Sequence, residues 1–76
     1  MVLDIVITKT DDGYEAEVPS IHGCECWAHT EFEVLAKTVE LARFYLKLDP
    51  QAKIKIDKAR GNFTVQIYKL IFNKVN

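Results

Sequence analysis

The chain predicts a two-layer α+β domain of order βββαββ, with one long helix packed on a mostly antiparallel sheet. Three observations lead there. From Thr30 to Leu48, apolar residues recur at three- and four-residue steps, the period of a helix with a buried stripe. On either side of that stretch, short segments alternate apolar and polar residues, as half-buried strands do. Turn-forming residues (Asp12-Gly13, Pro19, Gly23, Asp49-Pro50, Gly61) separate the segments. With 76 residues, 49% of them apolar, the chain is read as a single domain over 1–76. That is near the lower limit of what one core can stabilise.

Val2 to Thr8 alternates Leu3, Ile5 and Ile7 with Val2, Asp4, Val6 and Thr8, and is the first strand, its leucine and isoleucines facing the helix. Lys9 to Gly13 is turn chemistry ending in an Asp-Gly pair. Tyr14, Ala16 and Val18 share one face of a second strand. Pro19 to Gly23 breaks the pattern, and Cys24 to Ala28 resumes it as a third strand.

The helix opens on Thr30-Glu31-Phe32-Glu33, which fits a capping box with reciprocal Thr30 and Glu33 bonds. Asp49-Pro50 is expected to stop it. Phe32, Leu35, Ala36, Val39, Ala42 and Leu46 form the stripe expected to face the sheet. Val34, Leu41, Phe44 and Leu48 form a second stripe, and a helix on a small sheet needs only one.

After Pro50, Ile54 and Ile56 alternate with Lys53, Lys55 and Asp57 in a fourth strand, and Lys58 to Asn62 reads as a turn. Phe63 to Phe72 is a fifth strand whose alternation lapses at Leu70-Ile71-Phe72. That tail is expected either to lie between protomers or to be covered on both sides. If the fourth strand runs parallel to the first, the sheet order is 3-2-1-4, with the last strand outside or exchanged. Val34, Leu41, Phe44, Leu48, Leu70, Ile71 and Phe72 are thus the candidate dimer or partner interface. A homodimer would cover surface that a two-layer domain of this size leaves bare.

Charge and composition narrow the functional classes. The net charge of −1 is that of a mixed, soluble surface, and argues against a general phosphate binder. No apolar run approaches the ~20 residues that span a bilayer, and no basic region followed by an apolar core marks a secretory signal. A cytoplasmic protein with no membrane partner is expected. Two cysteines two residues apart suit reduced thiols better than a stapled scaffold.

Four residue sets could carry chemistry. His22, Cys24, Cys26 and His29 are the densest metal-capable cluster, but strand rise spreads the first three over ~13 Å, too far for one tetrahedral ion. A nucleophilic thiolate needs an electropositive pocket and an oriented base, and Cys24 and Cys26 are flanked by Glu25 and Trp27. Asp4, Asp11, Asp12, Glu15 and Glu17 crowd one hairpin as two-metal nucleases require, yet most occupy turn and outward positions. Lys53, Lys55, Lys58 and Arg60, with Tyr68, Lys69 and Lys74 nearby, form a basic stripe that could meet phosphates or protect a strand edge. The expectation is no enzyme activity, no metal and no cofactor. A small RNA- or ligand-binding domain using the basic stripe is the alternative.

The run Gly13-Tyr14, Ala16, Pro19, Gly23-Cys24, then Thr30 with Glu33, followed by Leu41-Ala42-Arg43-Phe44-Tyr45-Leu46, resembles the HicB-like antitoxin domain. The likeness covers slightly under half the chain. It departs from the family pattern at Trp27-Ala28-His29, where a glycine is usual before the helix, and at Val34, where alanine often follows the glutamate. The resemblance implies a partial ribonuclease-H-like fold without catalytic acids, a tendency to dimerise, and a partner in a small HicA-type messenger-RNA-cleaving toxin. In its terms Gly13, Pro19 and Gly23 shape turns and Cys24 packs inside. The stretch after Asp57 carries no helix-turn-helix or ribbon-helix-helix pattern, so operator binding is not expected from it.

Overall fold

In a computed structural model, which describes residues 1–73, the chain is α+β with the predicted order βββαββ. The strands are β1 (Val2–Lys9), β2 (Tyr14–Glu17), β3 (Glu25–Ala28), β4 (Ile54–Gly61) and β5 (Val65–Phe72), and α1 spans Glu31–Tyr45. They form one five-stranded sheet in the order β3-β2-β1-β5-β4, every neighbouring pair antiparallel.

This order corrects the expected 3-2-1-4. The last strand is neither outside nor exchanged: β5 enters between β1 and β4 of its own chain. Side-chain chemistry explains the choice. β5 carries Val65, Ile67 and Ile71 on one face and Tyr68, Leu70 and Phe72 on the other, which suits a strand with neighbours on both sides. β4 carries Lys55, Asp57, Lys58 and Arg60 and a bulge between Lys58 and Arg60, the features that blunt an edge. β4 also runs to Gly61, so the turn begins at Asn62, whose side-chain oxygen accepts from the backbone N–H groups of Thr64 and Val65, each at 2.9 Å.

Two glycines are set by geometry. A Cβ on Gly13 would lie 2.5 Å from both the Ala28 carbonyl oxygen and the Trp27 ring. Gly23 has φ +82°, in the left-handed region. It ends a Pro19–Gly23 turn in which Ile21 N–H donates to Val18 and Cys24 N–H donates to Ile21. The third strand therefore starts at Glu25, and His22 is in the turn, not on the strand.

The Thr30 hydroxyl accepts the Glu33 N–H at 3.1 Å, as a capping box requires. The reciprocal half differs: the Thr30 hydroxyl donates to the Glu33 carboxylate at 3.2 Å. The helix ends earlier than Asp49-Pro50 would impose. Lys47 adopts φ 55°, with Lys47 N–H donating to the Phe44 carbonyl and Leu48 N–H to the Arg43 carbonyl, a Schellman closure.

The helix lies over β1, β2 and β3. Between the layers sit Ile5, Ile7, Ala16, Val18, Cys24, Ala28, Val34, Ala42, Leu70 and Phe72, all buried. The face of α1 toward the sheet is centred on Val34, Thr38 and Ala42, flanked by Leu35, Val39, Leu41 and Leu46. The expected stripes are thus partly exchanged: Val34 is fully buried, and Phe32 is 81% exposed. Thr38 can occupy the core because its hydroxyl donates to the Val34 carbonyl at 2.7 Å and lies 2.9 Å from Cys26 Sγ.

Candidate interaction surface

Seven residues were expected at an interface, and the structure separates them. Val34, Leu70 and Phe72 are not available, because their side chains fill the chain's own core. By register Leu70 lies between Leu3 and Ile56, and Phe72 opposite Ile54. The Met1 amino group donates to the Phe72 carbonyl at 2.7 Å, and Phe72 N–H donates back to Met1, so the tail is pinned to the first strand. The surplus apolar tail is therefore resolved as two residues in and one out. Ile71 is the outward one, and it is half-buried. Leu41 and Leu48 are also half-buried, packed along the rim of the core. Phe44, 76% exposed, stands on the outer side of the helix beside a shallow hollow lined with Ala36, Lys37, Glu40 and Leu41.

A second surface emerges from strand pairing. The residues that point away from α1 meet in rows across the sheet. One row runs Glu25, Glu17, Val6, Ile67, Arg60 from edge to edge. The next, toward the β1–β2 turn, runs Trp27, Glu15, Thr8, Val65. On the other side come Asp4, Lys69, Asp57 and then Val2, Ile71, Lys55. The middle strands thus carry a strip of Val2, Val6, Val65, Ile67 and Ile71, each half-buried or exposed. Among the described residues no helix or strand covers it.

The charges flanking the strip are divided by sign. Glu15, Glu17 and Glu25 lie on the β2–β3 side, around a hollow that Val6, Thr8 and Trp27 complete. Lys55 and Arg60 lie on β4, with Asp57 between them 3.7 Å from the Lys55 ammonium. In the middle, Lys69 and Asp4 form an ion pair and cancel. Among the described residues, Glu15, Glu17, Glu25 and Arg60 make no ion pair. The face is therefore apolar at its centre, acidic on one flank and net basic on the other.

The remaining sequence candidates do not converge. Cys24 and Cys26 turn toward the core, and burial, followed by the neighbouring Cys26, raises the Cys24 thiol above its ordinary value. That is the opposite of what a nucleophilic thiolate needs. His22 is exposed in its turn, and His29 stands edge-on to Trp27 with ring centroids 4.7 Å apart. Among the described residues no group of three or more His, Cys, Asp or Glu side chains could hold a metal ion. The acidic hairpin is dispersed as well: Asp11 and Asp12 sit in the turn, and Asp4 is engaged by Lys69.

The basic stripe is split by the sheet. Lys55 and Arg60 point to the open face, whereas Lys58 pairs across from Tyr68 on the helix side, its ammonium 5.9 Å from the Tyr68 ring. Lys53 precedes the strand, and Lys74 lies outside the described residues. Among the described residues, these side chains make no continuous basic track of the kind that follows a phosphate backbone. No helix among the described residues is long and apolar enough to cross a membrane.

The apolar strip and its charged flanks were missed in the sequence. Half the signal was present, in the alternation of Val2, Val6, Val65 and Ile67 with core residues. The other half, which strand lies beside which, is not carried by alternation. No protein family, curated protein or solved structure compared with the chain matches it.

Proposed function

We propose that this chain is a non-catalytic, HicB-like protein-interaction module that works as a homodimer, an antitoxin-type protein that masks a small HicA-type messenger-RNA-cleaving partner. The observation that carries this reading is the uncovered sheet face. A domain this small leaves an outward-facing, mostly half-buried apolar strip between opposite charges, which suits a macromolecular surface better than a small substrate. The outer side of the helix, with Phe32 and Phe44, offers a second place for a protein to bind. The motif run from Gly13 to Leu46 is what supports the HicB-like assignment, and a cytoplasmic setting is part of the same proposal. The reading is supported by the close approach of Gly13 to Ala28 and Trp27 and by φ +82° at Gly23, two positions where the motif run carries glycine.

The test is co-purification from native cells followed by ribonuclease assay of what is recovered. A small basic protein whose ribonuclease activity falls on titration with this chain supports the reading. Recovery of no such protein, together with no effect of the chain on messenger-RNA cleavage, overturns the antitoxin role.

A further inference from the structure

We propose that the surface closing the homodimer is the open sheet face, and that a second copy of this chain stacks on it about a two-fold axis parallel to the strands. The proposal rests on the dimeric reading above and adds its surface and symmetry. In the row Glu25, Glu17, Val6, Ile67, Arg60, β1 is the central strand of five. Two identical faces can stack with the axis in the plane of contact either across the strands or along them. An axis across the strands lays Glu15, Glu17 and Glu25 on their own counterparts, acid upon acid. An axis along the strands exchanges the flanks, so that β3 of one copy lies over β4 of the other. Glu25 then approaches Arg60 of the second copy, twice by symmetry, with Glu17 one strand away, and Val2 and Val6 of β1 meet their own counterparts. The ion pair of Lys69 with Asp4 stays within each copy.

Size and alternatives agree with this choice. Five strands ~4.8 Å apart and about 20 Å long offer on the order of 500 Å² per copy, or about 1,000 Å² for the pair. That is the lower end of specific interfaces, consistent with micromolar association. Stacked sheets align to within about 30°, which long glutamate and arginine side chains span. Edge-to-edge pairing of two β4 strands is the competing route to a dimer. It would bring Lys55, Lys58 and Arg60 of both copies together, and the bulge between Lys58 and Arg60 interrupts the ladder. Phe44 lies on the helix, outside this contact.

Charge reversal tests both surface and symmetry, read by sedimentation equilibrium, with circular dichroism confirming the fold of each variant. Glu25→Lys alone and Arg60→Glu alone should each weaken dimerisation by about tenfold or more. An equimolar mixture of the two should regain the dimer, because each contact then again pairs opposite charges. Val6→Lys, on the central strand where it meets its own counterpart, should leave folded monomers. Charge variants that sediment like the unaltered chain, or a mixture no tighter than its components, overturn the proposal. A dimer lost in Phe44→Glu but kept in Val6→Lys overturns it while leaving the dimeric reading intact. An unaltered chain that is monomeric throughout overturns both. A monomer that holds a basic protein only while Glu25 is intact also overturns it, and assigns the face to that partner.

Discussion

The Tyr68 hydroxyl donates a hydrogen bond to the Glu31 carboxylate, joining the last strand to the first turn of the helix. Burial, and then Glu31 as hydrogen-bond acceptor and as negative charge, push the Tyr68 pKa up to about 12. The folded chain thus holds this proton more tightly than the unfolded one, whose tyrosine titrates near ~10. The stability it confers is complete below that value and is lost as pH rises through about 12. Denaturant titrations between neutral and strongly alkaline pH should show a steeper loss for the native chain than for Tyr68→Phe. Ultraviolet titration of Glu31→Gln should show Tyr68 ionising at lower pH. Parallel stability curves for the native chain and Tyr68→Phe would contradict the assignment.

The two helix ends should respond in opposite directions. Thr30→Ala removes the acceptor for the Glu33 N–H and should cost about 1 kcal/mol. Lys47→Gly places at the left-handed position the residue that adopts it without Cβ strain, and should gain roughly 0.5–1 kcal/mol. In a domain of this size each kcal/mol moves Tm by about 4–8 °C, so thermal melts resolve both.

Leu70 and Phe44 separate core from surface. Leu70→Ala opens a cavity in the middle of the core and should cost about 2–5 kcal/mol, enough to unfold a marginal domain. Phe44→Glu should change monomer stability by no more than about 0.5 kcal/mol, since the ring is mostly in solvent. Chemical denaturation of the two variants checks this. Equal losses would mean that Phe44 is packed within the chain.

Much of the architecture was legible because each element carried its own signal. Leu3, Ile5 and Ile7 turn to the helix as their alternation requires, Thr30 caps α1, and the Asp12-Gly13 turn joins β1 to β2. What failed were decisions between elements. The observed helix stripe differs from the periodic one because Thr38 counts as polar by composition, whereas its hydroxyl donates to the Val34 carbonyl one turn back. With Thr38 in the core, Val34 comes in and Phe32 goes out. The tail differs from expectation for the same kind of reason. Leu70-Ile71-Phe72 exceeds one sheet face but suits a strand lying between two others, and only the β1–β5 and β4–β5 pairings reveal that position. The interaction surface depends wholly on those pairings. Glu25 and Arg60 are 35 positions apart in sequence and fall in one row only once the sheet order is known.

The central claim is that the chain leaves a sheet face bare for another protein, first of all its own copy. Sedimentation equilibrium of the unaltered chain across the micromolar range tests it most directly. A concentration-dependent rise to twice the 8.7 kDa chain mass is the expected result. A single 8.7 kDa species at every concentration would contradict the account.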